Sequence, residues 1–174
     1  MTSATKKFVT FVVIALVAIA AILSSVYVFW VNGRGEDGGS SATEISVAQI
    51  NKTVIEKMGY KGIRELGNGE ISGHFDVPED GITQASVYIA ESNASAMEIA
   101  CFKLSSEDYE EKIKASVSEH ITAKLKGFQE SPKESEYIRN YELEFSQGYV
   151  FMVIGENADI AAKVFLDIFD SNKK

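Results

Sequence analysis

The chain has 174 residues, a net charge of −8, one cysteine and two histidines. One thiol closes no intramolecular disulfide, and a strongly acidic surface repels phosphate backbones, which argues against nucleic acid as a partner. Two histidines with no Cys-x-x-Cys or His-Glu-x-x-His spacing argue against zinc, so neither a metal nor any other cofactor is expected.

Residues 1–7 form a short tail carrying Lys6 and Lys7. From Phe8 to Val31 the sequence holds no charge, with Thr10, Ser24 and Ser25 as its polar interruptions. At about 1.5 Å per residue this run reaches roughly 36 Å, enough to cross a hydrocarbon core of about 30 Å with some tilt. Tyr27, Phe29 and Trp30 cluster at its end, where aromatic rings favour the headgroup interface. The lysines precede the run while Glu36 and Asp37 follow it, so the positive-inside rule predicts a cytoplasmic N-terminus and an extracellular C-terminal domain. Ala18-Ile19-Ala20 has the form of a processing site, but apolar residues continue to Val31, which favours a permanent anchor over a cleaved signal. A lipoprotein signal is excluded, because the sole cysteine is Cys101.

Residues 32–44 are rich in glycine and serine and predict a flexible linker. Residues 45–174 then form one domain. Ser46 and Gln49 make a capping box before Val47, Ile50, Val54, Ile55 and Met58, which recur at helical spacing as far as Gly59. Gly67, Gly69 and Gly73 break the pattern between Gly62 and Pro78, predicting loop with at most one short strand. A hairpin follows, with strands over Gln84 to Glu91 and Ala96 to Leu104.

Ser105 or Ser106 caps a long amphipathic helix whose stripe is Tyr109, Ile113, Val117, Ile121, Leu125 and Phe128. Pro132 ends the helical region or opens a short new turn. A second hairpin is predicted over Tyr141 to Ser146 and Tyr149 to Gly155 around Gln147-Gly148, its second strand apolar on both faces and therefore central. Asn157 caps a last helix that buries Ile160, Ala161, Val164, Phe165, Ile168 and Phe169. The fold expected is α+β: a helix and two strand-strand-helix units forming one antiparallel sheet packed by helices.

The strings Ala96-Met97-Glu98-Ile99-Ala100-Cys101-Phe102-Lys103, Asn140-Tyr141-Glu142-Leu143 and Gly148-Tyr149-Val150-Phe151 carry a resemblance. From Phe75 through Phe169 the chain resembles a domain-of-unknown-function family of clostridia and related Gram-positive bacteria, of the DUF 4358 type. Its members sit behind a lipoprotein signal or a membrane anchor. The resemblance implies an envelope location and supplies no catalytic residue.

Few side chains invite chemistry. Cys101, in an apolar run, reads as a buried thiol. His74 falls in the predicted loop, and His120 beside the core stripe of its helix, as a half-buried structural histidine. Asp76, Glu79 and Asp80 fail the spacing of a calcium loop and read as a solvated turn. Glu98 lies mid-strand on the face of Ala100 and Phe102, where a buried carboxylate needs a partner such as Lys103, Arg139 or a backbone donor and marks a binding groove. Tyr141 and Tyr149, with Tyr88, Phe102 and Tyr137, would line an aromatic ligand surface if all five shared one sheet face. These residues suggest a membrane-anchored, non-enzymatic domain that binds an envelope protein or cell-wall component through its sheet or hairpin edges. A small-ligand carrier or sensor is the alternative, and a hydrolase using Glu98 with a second acid comes third.

Overall fold

The computed structural model describes residues 44–170. The predicted span at residues 8–31, nearly all of the linker and the last four residues lie outside them. Among the described residues no helix is long and apolar enough to cross a membrane.

Helix α1 (Val47–Met58) starts where Ser46 Oγ accepts the Gln49 N–H at 3.2 Å and ends at Gly59, whose φ of +66° is the left-handed turn that glycine adopts without strain. Strand β1 (Ile63–Glu65) is three residues long. The glycine-rich stretch after it is not loop, as its composition predicts, but helix α2 (Asn68–His74). Glu70 secures it by accepting the Gly67 N–H at 2.9 Å and two hydrogen bonds from Arg64, while Ile71 and Phe75 bury beneath it. Capping and apolar burial outweigh the poor helix propensity of Gly69 and Gly73.

Strands β2 (Ile82–Ala90) and β3 (Glu98–Leu104) form the first hairpin, with Glu98 at the start of β3 rather than mid-strand. Helix α3 (Glu110–Gly127) follows a single 3-10 turn. Pro132 opens a full helix, α4 (Pro132–Arg139), where the sequence predicts at most a turn. Strands β4 (Glu142–Ser146) and β5 (Tyr149–Ile154) meet at Gln147-Gly148, both at positive φ, the backbone that a tight two-residue hairpin demands. Helix α5 (Ala158–Asp170) closes the fold, with Ile160 exposed instead of on the buried side.

All five strands pair antiparallel in the order β1-β2-β3-β5-β4, so the two hairpins join through β3 and β5. Strand β5 is apolar on both faces and β3 is so apart from Glu98 and Lys103, and strand alternation divides their side chains between two cores. Ala100, Phe102, Leu104, Val150, Met152 and Ile154 face Ile71, Phe75, Ile113, Val117 and Ile138, contributed by the α2, α3 and α4 segments. Ile99, Cys101, Tyr149, Phe151 and Val153 face α1 and α5. Helices therefore cover both faces of the sheet. Glu98, in phase with Ala100 and Phe102, is directed into the first layer.

Candidate functional site

Glu98 is completely buried. A carboxylate in that position costs several kcal/mol of lost hydration unless nitrogen donors replace the water. Three do so. His74 Nε2, at the C-terminal end of α2, lies 3.1 Å from Glu98 Oε1. His120 Nε2, on α3, lies 3.0 Å from Oε1 and 3.2 Å from Oε2. Lys124, one helical turn beyond His120 on the same face of α3, donates from Nζ to Oε2. Burial by itself would raise the Glu98 pKa, but the hydrogen bonds from His120 and His74 and the Lys124 charge outweigh it and hold the carboxyl well below the usual carboxylate range. Both imidazoles carry a proton on Nε2 when they donate to the ionised acid.

The surroundings are dry on one side and open on the other. The Phe75 ring lies 4.3 Å from the His120 ring and meets Phe102 edge-on at 5.3 Å, while the two imidazoles are 4.8 Å apart. His120 and Lys124 expose 10% and 13% of their side chains, whereas His74 exposes 29% and forms the solvent side of the cluster. As an ionised group enclosed by donors, Glu98 has no proton to give, which makes it a poor general acid.

The sequence reading places Glu98 correctly by face but names the wrong partners: neither Lys103 nor Arg139 reaches it. The partners are instead His74 and His120, which the sequence places in a loop and beside a helix core stripe without connecting them to Glu98. The signal present in the sequence is the His-x-x-x-Lys spacing on α3, while His74 joins only because α2 is a helix. The aromatic surface does not form, since Phe102, Tyr137 and Tyr141 pack on one face of the sheet and Tyr88 and Tyr149 on the other. Tyr149 is buried and donates its hydroxyl to the Ile45 carbonyl at 2.7 Å. Tyr141 lines a polar cleft of about 750 Å³ with Lys133, Arg139 and Asp159. Cys101 is a buried free thiol whose pKa burial pushes up.

A second feature lies at the sheet edge. Strand β1 pairs only with Tyr88–Ala90 of β2, flanked by one bond from the Glu91 N–H to the Gly62 carbonyl and one from the Leu66 N–H to the Val87 carbonyl. On that side Ile82–Ser86 has no strand neighbour among the described residues. A groove of about 560 Å³ follows this half-strand, with Ser46 and Val47 of the α1 end on one side and Asn68, Ile71 and Val77 on the other. Gln84 in its floor accepts the Val47 N–H at 3.2 Å. The lining is uncharged throughout, in contrast to the acidic molecule around it.

Residues 46–155 match the family model described as a domain of unknown function (DUF4358). No curated protein and no solved structure gives a significant match to the chain.

Proposed function

The chain belongs to this family of domains of unknown function, and we propose that it is a membrane-tethered, non-enzymatic binding module that takes up an extended segment of an envelope protein along the uncovered half of β2. Under this reading residues 8–31 anchor the domain in the membrane of a Gram-positive bacterium, with residues 45–174 on the extracellular side. The observation that carries the proposal is the half-covered strand and the groove beside it. An unpaired strand invites pairing by another chain, and natural folds usually blunt such edges with charge or proline. Here the lining is uncharged instead, a mixture of apolar and small polar side chains, which suits β-strand addition by an uncharged peptide.

Backbone parity defines the test. The Val87 carbonyl faces β1, and continuous register through Ala85 puts the Ala85 N–H on the same, open side. Ala85→Pro therefore deletes a donor available to an incoming strand while sparing the ladder to β3. With a photo-crosslinking residue at Thr83 in intact cells, a discrete adduct is expected, and Ala85→Pro should abolish it without loss of folded protein. An adduct insensitive to that substitution, or protection of the domain from protease added outside the cells, contradicts the proposal.

A further inference from the structure

We propose that His74, Glu98 and His120 form a binding site for one divalent transition-metal ion of the zinc class, with Lys124 orienting the carboxylate from outside the coordination sphere. Charge balance alone does not account for the arrangement. Lys124 already neutralises Glu98 through Oε2, yet two imidazole nitrogens converge on the other oxygen, Oε1, at 3.1 and 3.0 Å. All three candidate ligand atoms lie within 4.8 Å of one another. Ligands held about 2.0–2.2 Å from a metal in tetrahedral to octahedral geometry stand roughly 2.8–3.6 Å apart. The two contacts to Oε1 already have that spacing, and the third separation, between the imidazole nitrogens, is the one the ion would draw in.

Entry of the ion requires the two imidazoles to close on it, since the candidate ligand atoms stand up to 4.8 Å apart. Each ligating imidazole carries its proton on Nδ1 and turns the Nε2 lone pair toward the metal, and Oε1 exchanges two hydrogen bonds for one metal bond. Lys124 keeps its hydrogen bond to Oε2, as outer-sphere groups commonly do for ligating carboxylates. Two imidazoles and one carboxylate suit zinc and, with more open positions, ferrous iron or manganese. Three protein ligands leave at least one position vacant, and the partly exposed His74 puts that position on the solvent side, open to water or to a donor group of a partner.

The experiment is a zinc titration of the purified full-length chain, after chelator treatment, followed by calorimetry and thermal unfolding, with cobalt(II) as a spectroscopic substitute. One equivalent of zinc per chain, a rise in Tm and visible cobalt absorption bands are expected. His74→Ala and His120→Ala should each weaken binding by about tenfold or more, as loss of a ligand must if loss of an outer-sphere group alone costs on the order of 10- to 100-fold. Lys124→Met should still bind zinc. Absence of saturable uptake by the folded wild-type chain overturns the proposal, as does uptake unchanged in His74→Ala. That variant decides the question even if His120→Ala fails to fold, because the His74 side chain is the more exposed of the two.

Discussion

Glu98 tolerates its burial only because three nitrogens surround it, and this makes the acid a sensitive point for stability. Glu98→Gln keeps the volume but leaves Lys124 and both imidazoles facing an uncharged amide. Breaking a buried ion pair from one side costs about 3 kcal/mol or more, and in a domain of this size that lowers Tm by roughly 10 °C. Circular-dichroism melts of the metal-free chain check this, and an unchanged Tm would show the cluster to be energetically idle. Cys101 behaves oppositely, since burial favours its neutral thiol. It should resist an aromatic disulfide reagent in native buffer and react fully in denaturant. Tyr60 gives the pH dependence. Burial and the nearby Glu156 and Asp159 charges push its phenol from 10.0 up to about 12, and its hydroxyl donates to the Glu156 carbonyl at 2.9 Å. A folded-state pKa raised above the unfolded one means that the stabilisation is complete below about pH 10 and is lost as pH climbs toward about 12. Urea midpoints measured across that window should fall, and the fall should be shallower in Tyr60→Phe.

At the level of elements, two glycines in neighbouring segments respond to alanine in opposite directions. Gly73 lies in α2, and a Cβ added there would meet nothing within 4 Å, so Gly73→Ala should stabilise by about 0.5–1 kcal/mol through helix propensity and a less free unfolded chain. Gly81 is packed in the turn before β2, where a Cβ would stand 2.6 Å from Tyr109 Cδ1 and 2.8 Å from Pro78 Cγ. Neither ring yields easily, and Gly81→Ala should cost roughly 1–3 kcal/mol. Urea denaturation of both variants measures the contrast, and equal midpoints would count against it. Helix α2 also shows where sequence reading stops. Both hairpins are legible because apolar alternation in β4 and the Gln147-Gly148 turn are local properties, and α3 is legible from its repeating stripe. Helix α2 is not, because Gly67, Gly69 and Gly73 suppress its local signal and its stability comes from Arg64, from Glu70 and from the burial of Ile71 and Phe75. The candidate site inherits that blindness. Glu98 can be picked out by strand parity and His120 and Lys124 by helical spacing, but nothing local brings His74 to within 3.1 Å of Glu98.

For the molecule as a whole, the match to the family stops at residue 155, yet the fold does not. Helix α5 begins at Ala158 and covers the second face of the sheet together with α1. Its Phe165 ring stacks on Phe151 with centroids 4.8 Å apart and an interplanar angle of 9°, and Phe169 packs beside Tyr149 at 5.1 Å. Ala158, Ala161, Phe165 and Phe169 are all buried there. Burying each phenylalanine is worth about 1.5–3 kcal/mol, before counting the strand residues that α5 shields. Domains of this kind are stable by only about 5–15 kcal/mol in total. Removing the helix therefore exposes a broad apolar surface on Tyr149, Phe151 and Val153 and withdraws a large fraction of the net stability. A chain truncated after Gly155 should lack a cooperative thermal transition and bind a hydrophobic dye, while Phe165→Ala in the full chain should still fold but with a loss of about 3–5 kcal/mol. Cooperative melting of the truncated chain would mean that α1 alone covers this face and that α5 is an accessory. Failure of the truncation together with survival of Phe165→Ala would instead make the last helix part of the folding unit, extending it beyond the residues by which the family is recognised.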